Sequence, residues 1–264
     1  MTGYDDDLRL AHVLADQADS LTMQRFKALD LKVETKPDLT PVSDADKATE
    51  ELLRTTLSRS RPRDSVIGEE YGDTPGNSGT TRRRWVIDPI DGTKNYVRGV
   101  PVWATLISLM EGPRPVVGVV SAPALGRRWW ASQGGGAYTG RSLSSAVRLS
   151  VSQVRELEDA SFAYSSVISW EEDGKLDGFL TLARACWRTR AYGDFWSHMM
   201  VAEGCVDLAA EPEVSLWDMA AVAVIVTEAG GRFTSTEGDP SPGAGSACTS
   251  NGLLHDSLLA HLGD

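Results

Sequence analysis

The sequence predicts a mixed α+β and α/β protein, with helices over a largely antiparallel sheet in residues 1–150 and alternating strands and helices in residues 151–264. Three observations carry this expectation. Apolar residues near the N-terminus recur at helical spacing, short apolar runs bounded by Gly and Pro follow, and strand-like and helix-like segments alternate beyond Ser150. No Ser/Gly-rich linker and no internal repeat separates the halves, so both are expected within one compact body.

Leu10, Val13, Leu14, Leu21 and Phe26 define a long amphipathic helix from Asp6 to Leu29. Leu31 to Thr40 reads as loop or extended chain. Ser43 is a plausible N-cap for a second helix from Asp44 through Ser58, with Leu52, Leu53 and Leu57 facing the first. Ser65 to Glu70 and Arg84 to Asp88 are short apolar runs that end in carboxylates, as strands do when they deliver side chains to a site. Further strands are expected at Trp103 to Met110, Val116 to Ala122, Arg128 to Ala131 and Gly136 to Tyr138, divided by turn signals. The second half alternates through Ala160 to Tyr164, Leu176 to Ala185, Trp187 to Ala191, Asp194 to Glu203, Asp207 to Ala210 and Trp217 to Ala229.

The balance of 41% hydrophobic and 24% charged residues over 264 positions excludes disorder and supports a sizeable core. A net charge of -11 opposes binding to nucleic acid or anionic membranes, which relies on an excess of Lys and Arg. Arg82-Arg83-Arg84 is therefore read as a solvated loop end, and Trp129-Trp130 as core or interface. Asp5, Asp6 and Asp7 stand where a signal peptide would need basic residues, and apolar runs such as Ala220 to Val226 are too short to span a bilayer. Cys186, Cys205 and Cys248 are widely spaced and lack CxxC pairing, so they read as buried thiols in a reducing cytoplasm.

Five acids, Asp44, Glu70, Asp88, Asp91 and Asp218, each end a strand or open a helix beside Gly, Pro or Thr. A hard cation such as Mg²⁺ takes oxygen ligands in near-octahedral geometry and retains waters, so a few carboxylates and a main-chain carbonyl suffice and no His or Cys is required. Pro89 keeps Asp88 out of helical geometry, so Asp88 and Asp91 can face one point, while the N–H groups of Gly92 and Thr93 at a helix start suit a phosphate. Taken singly, Asp-Pro and Asp-Gly are ordinary turn dipeptides, and an acid such as Asp44 at a helix start is ordinarily a cap or dipole partner.

Taken together, Gly68-Glu69-Glu70, Trp85 through Thr93, Trp217-Asp218-Met219-Ala220-Ala221 and Glu228-Ala229-Gly230-Gly231 resemble the motifs of the inositol monophosphatase family of metal-dependent phosphatases. The resemblance runs over nearly the whole chain and implies a layered αβαβα sandwich, a homodimer and two or three Mg²⁺ ions per site. It makes Glu70, Asp88, Asp91 and Asp218 metal ligands, with the Ile90 carbonyl as a main-chain ligand. Glu70 and Asp88 would serve one ion, and Asp88, Asp91 and Asp218 another. Asp44 and Thr93 resemble the pair that orients the attacking water, with Glu70 counted beside them as catalytic. The lead from Lys36 to Ser43 resembles the family's Lys-containing mobile loop, and Gly72 to Thr81 is expected to be mobile and to reach a neighbouring subunit. The implied chemistry is metal-activated attack of water on a phosphate monoester, in line with the leaving oxygen and without a phosphoenzyme.

Substrate choice is expected to rest on Arg190-Ala191-Tyr192-Gly193-Asp194-Phe195. Inositol-type members of the family place a small hydroxyl residue and Ala after the corresponding Gly. An acid with an aromatic neighbour instead suits a cationic or heteroaromatic group, and histidinol phosphate carries both. Glu211 resembles the family's substrate-binding Glu, Asp218 faces the same ester, and Asn95, Arg190 and Gly193 complete the expected contacts. The alternatives are an inositol 1-phosphate or broader sugar-phosphate phosphatase, a 3'-nucleotide phosphatase acting on adenosine 3',5'-bisphosphate, and a non-catalytic regulatory binding protein on the same fold.

Overall fold

The computed structural model describes residues 3–37, 39–77 and 82–263. The chain opens with α1 (Asp5–Arg25), whose three leading Asp residues lie at the positive end of the helix dipole. A short hairpin, β1 (Val33–Thr35) and β2 (Pro41–Ser43), leads into α2 (Asp44–Ser60). Ser43 caps α2 as expected, in a capping box: the Ala45 N–H donates to the Ser43 hydroxyl and the Ser43 N–H to Asp46. Leu53 and Leu57 enter the core shared with α1, while Leu52 is half-buried.

Next come β3 (Ser65–Gly68), β4 (Gly72–Thr74), β5 (Arg83–Asp91), α3 (Thr93–Val97), β6 (Ala104–Glu111), β7 (Arg114–Ala122), β8 (Arg127–Ser132), β9 (Gly136–Thr139) and β10 (Val147–Arg148). These strands form an eight-stranded sheet in the order β10-β9-β8-β7-β6-β5-β3-β4, antiparallel except where β3 runs parallel to β5. The second half supplies β11 (Ser161–Tyr164), α4 (Val167–Glu172), α5 (Leu176–Ala185), β12 (Arg188–Ala191), α6 (Asp194–Ala202), β13 (Leu208–Glu211), α7 (Leu216–Glu228), β14 (Arg232–Thr234), β15 (Ala247–Ser250) and α8 (His255–Leu262). Its five-stranded sheet has the order β12-β11-β13-β15-β14, parallel around β11 and antiparallel around β15.

The layers are α1 and α2, the large sheet, α6 and α7, the small sheet, then α5 and α8, giving the αβαβα sandwich. The central layer explains itself from sequence: α7 is buried along almost its whole length from Met219 to Val226, because it lies between two sheets rather than against one. Its core joins Leu106, Val120 and Trp129 of the large sheet to Ala163, Ala209 and Phe233 of the small one. No described helix is long and apolar enough to cross a membrane.

Several readings of the chain change. The first helix ends at Arg25, not Leu29, and Lys27 turns the chain at φ 62°. The strands β1, β2, β4, β10 and β14, of two or three residues each, are too short to show a period. Arg83 and Arg84 are not a solvated loop end. Arg83 pairs with Asp7, Asp64 and Glu111, and Arg84 with Asp73, which pins the start of β5 to α1 and its neighbours. Cys205 is exposed while Cys186 and Cys248 are buried. Trp129 and Trp130 are core residues on opposite faces of the large sheet. Of the expected mobile segment Gly72 to Thr81, residues 78–81 lie outside the described residues, as does Asp38 of the Lys36 loop.

Helix α7 crosses the large sheet at Gly118, where an added Cβ would meet Val224 at 2.6 Å and the Ala221 carbonyl at 2.7 Å. Gly118→Ala is expected to push α7 off the sheet and cost about 1–3 kcal/mol of stability. Because α7 also carries Asp218, the same variant should show a smaller thermal-shift response to divalent cations, read by scanning fluorimetry with and without the ion.

Candidate active site

The site begins with an irregularity in β5. Asp88 pairs with Leu106 and Asp91 with Ala104, so three residues of β5 advance against two of β6. In a regular strand, residues three apart face opposite sides of the sheet; the extra residue of a bulge turns both to one side. Pro89, which has no N–H to give the ladder, sits in the bulge, and the Thr105 hydroxyl donates to its carbonyl at 2.8 Å. The Ile90 N–H donates to Asp88 Oδ1 at 2.9 Å. Asp218 arrives from the first turn of α7, held by the Ser215 N–H at 2.7 Å in a second capping box. Ligand oxygens of Asp88, Asp91 and Asp218 then all lie within 4.8 Å of one another.

Such a cluster is unfavourable without a counter-charge. Burial, then the charges of Glu69, Asp91 and Asp218, hold the Asp88 carboxyl well above the usual range. Burial and the charges of Asp194 and Asp218 do the same to Asp91, and burial lifts Asp218 to about 7. An all-carboxylate set of this kind, with no His or Cys, fits a hard divalent cation.

Glu69, rather than the expected Glu70, faces the cavity beside the carboxylate cluster. The Glu69 N–H donates to the Ile87 carbonyl on the parallel strand, and Glu69 lines the cavity beside Asp91 and Asp218. Glu70 does not line that cavity and is buried against Lys36, which bonds both glutamates at 2.7 Å. The turn that separates them is locked by Glu50, whose carboxylate accepts the N–H groups of Glu70 and Tyr71 at 2.7 and 3.2 Å. Gly68 is required here, since an added Cβ would sit 2.2 Å from Glu50 Oε1.

The expected Asp44 and Thr93 pair is not formed either. Asp44 bonds Arg25 at 2.8 Å, which makes it an anchor between α1 and α2. The Thr93 hydroxyl instead lies 3.3 Å from Asp46 Oδ1 and 3.0 Å from the Ile90 carbonyl. Asp46 is buried, and burial raises its carboxyl to about 6. The signal was present in the sequence: with Ser43 as N-cap, the capping-box acid three residues on is Asp46.

Gly92 turns at φ 82° into α3 and lines the cavity with Thr93. Directly above it stands Asp194 from the second half: a Cβ on Gly92 would meet Asp194 Oδ2 at 3.0 Å. Asp194 opens α6 at φ 43°, after Gly193 at φ 89°, and its N–H donates to Ser165. The next N–H, of Phe195, donates to Asp91 at 2.9 Å, which ties α6 to the carboxylate cluster. Asn95 joins the Val102 carbonyl at 2.9 Å and Asp194 at 3.4 Å, so it orients Asp194. Burial and Glu211 raise the Asp194 carboxyl to about 6.

Asp194 and Glu211 line one cavity of about 280 Å³ with Thr40, Glu69, Asp91, Gly92, Thr93, Lys94, Glu213 and Asp218. Two expected contacts lie elsewhere. Phe195 is buried in the core against Trp129 and offers no face to a ligand. Arg190 is exposed on the edge strand β12 and bonds the Thr189 carbonyl. Lys94 and Glu213, which sequence reasoning passed over, also line the cavity and are exposed. A larger cleft of about 560 Å³ beside α2 and β4 shares no lining residue with this site.

Residues 5–264 match the profile of the inositol monophosphatase family, and the chain belongs to that family. Histidinol-phosphatase of Streptomyces coelicolor is 72% identical over 99% of this chain and 98% of its own. Histidinol-phosphatase of Mycobacterium tuberculosis is 57% identical over 97% and 98% of the two chains. Among solved structures, an inositol monophosphatase from Zymomonas mobilis superposes with a TM-score of 0.85 at 30% identity, covering 99% of both chains.

The raised carboxyls set the pH response. Groups that bind protons more tightly folded than unfolded contribute stability that is complete below about pH 4 and is lost as pH rises through their folded values, here about 6 to 7. A bound divalent cation offsets the exposed repulsion above that range. The rise in Tm on adding the ion should therefore be larger at pH 7.5 than at pH 5.0, and Glu69→Gln should reduce it more than Glu70→Gln; scanning fluorimetry reads both.

Proposed function

We propose that this chain is a Mg²⁺-dependent phosphomonoesterase that hydrolyses L-histidinol phosphate to L-histidinol and phosphate. One observation carries the substrate: Asp194 and Glu211 face the same small cavity as the carboxylate cluster. Burial and the charge of Glu211 raise the cost of ionising Asp194, and an ammonium or imidazole group on the alcohol side of the ester relieves it. A polyol ring offers no such charge. The identity of 72% to a histidinol-phosphatase over the full chain supports the same reading.

Glu69, Asp88, Asp91, Asp218 and the Ile90 carbonyl would hold Mg²⁺, as two or three ions. When bound, Mg²⁺ acidifies a water and neutralises charge on the phosphoryl oxygens. The protein's own groups do the rest. The Thr93 hydroxyl, donating to Asp46, presents its lone pairs to the water and orients it toward phosphorus. The N–H groups of Gly92 and Thr93, with Lys94 nearby, take the phosphoryl oxygens. Asp194 and Glu211 grip the alcohol portion, so that the leaving oxygen lies opposite the attacking water. The working form is a cytoplasmic homodimer on this reading; light scattering of the purified protein tests the oligomer.

Phosphate release from a panel of monoesters, with Mg²⁺ and with a chelator, tests the assignment. Histidinol phosphate should give the highest kcat/KM, and chelation should abolish release. Comparable rates on inositol 1-phosphate would move the assignment to a broader sugar phosphatase, and release only from adenosine 3',5'-bisphosphate to a nucleotide phosphatase. No release from any ester would favour a binding protein. Asp46→Asn should lower kcat about 10²-fold or more, whereas Asp44→Asn should act on Tm instead. Asp194→Ser and Glu211→Gln should each cut kcat/KM for histidinol phosphate about ten- to a hundredfold, and less for esters without a cation.

A further inference from the structure

Behind Glu211 lies a polar chain that the hydrolytic chemistry does not use. His198, on α6, is completely buried, with its Nε2 3.1 Å from Glu211 Oε1 and its Nδ1 2.8 Å from the Thr249 hydroxyl. Thr249 is itself buried on β15, directly opposite Ala209 of β13, the strand that ends in Glu211. A carboxylate oxygen only accepts hydrogen bonds, so Nε2 carries the proton in this contact. Nδ1 of the neutral ring is then an acceptor, which the Thr249 hydroxyl satisfies. That hydroxyl also lies 3.5 Å from the Ala209 carbonyl, too far to compete with the ring at 2.8 Å. The chain Thr249 to His198 to Glu211 thus closes with every donor matched to an acceptor and no charge required on the imidazole.

His198 stands four residues after Asp194 on the same helix, so both project from one face of α6. One helix therefore presents Asp194 to the cavity and fixes the opposing Glu211 from behind. With Oε1 committed to His198, Glu211 offers its other oxygen to the cavity it lines.

We propose that His198, anchored by Thr249, is a positioning residue that sets the orientation of the Glu211 carboxylate and through it selects esters bearing a cationic group. The proposal rests on the substrate-recognition role given above to Glu211. It differs from a role in packing, because it acts on one class of ester and only while Glu211 can accept from the ring.

The test uses the Mg²⁺-loaded enzyme with histidinol phosphate and with p-nitrophenyl phosphate, a monoester without an ammonium group. Asn places an amide where Nδ1 was and cannot reach Glu211, whereas Gln can place its amide near Nε2. His198→Asn should raise KM for histidinol phosphate about tenfold, change kcat little, and lower the ratio of kcat/KM between the two esters by a similar factor. His198→Gln should recover most of that ratio. In the double variant with Glu211→Ala, which leaves the ring no acceptor, His198→Asn should add little, as expected of residues that act through one contact. Equal losses on both esters, or additive effects in the double variant, would overturn the proposal. Should His198→Asn fail to fold, Thr249→Val removes the anchor and should lower the same ratio; an unchanged ratio there counts equally against it. If the wild type cleaves p-nitrophenyl phosphate but not histidinol phosphate, the substrate reading fails by itself. The double-variant comparison on the preferred ester then decides the His198 to Glu211 coupling, with additivity overturning it.

Discussion

Repulsion among buried and half-buried carboxylates is the constraint around which this molecule is built. Asp88, Asp91 and Asp218 are brought within a few ångströms of one another, with Glu69, Asp46 and Asp194 close enough to raise their cost of ionisation further. No fold gathers such groups for its own stability, since each buried charge without a partner costs free energy. The surrounding architecture supplies what the cluster lacks. The β5 bulge sets the spacing, two helix starts lend N–H groups, and the αβαβα layering grips α7 between two sheets so that Asp218 cannot retreat.

The supporting contacts serve local structure and the site at once. Asp46 and Asp218 are each the third residue of a helix and close a capping box, so the bond that stabilises the helix end also aims the second carboxylate oxygen. Glu50 likewise satisfies the N–H groups of a tight turn, and that turn directs Glu69 to the cluster and Glu70 to Lys36. Geometry held in this way does not need to be reorganised when ligand binds.

The residues proposed for recognition come from the second half of the chain. Asp194 overhangs Gly92, and the Phe195 N–H donates to Asp91, so the element proposed to read the alcohol also braces the carboxylate cluster. Binding energy gained on the cationic part of an ester can thereby be expressed as alignment of its phosphate. The strained φ of 43° at Asp194 fits this picture, as a non-glycine residue held in the left-handed region by its surroundings.

The sequence by itself determined the reaction class, the mixed α/β layering, the helix capped by Ser43, and the grouping of Asp88, Asp91 and Asp218. Those features are local: a capping residue, a strand ending at an acid, and a hexapeptide whose turn chemistry is fixed by Pro89 and Gly92. Tertiary structure alone decided between neighbours. Glu69 and Glu70, or Asp44 and Asp46, are equivalent in charge and one or two positions apart, and only the strand register beside Ile87 and the reach of Thr93 distinguish them. The removal of Phe195 into the core, the exposure of Arg190 on an edge strand, and the meeting of His198 with Glu211 likewise depend on how α6 lies between two sheets. A one-residue difference in a turn or helix start points a side chain in another direction, and that direction is fixed by packing contacts distant in sequence.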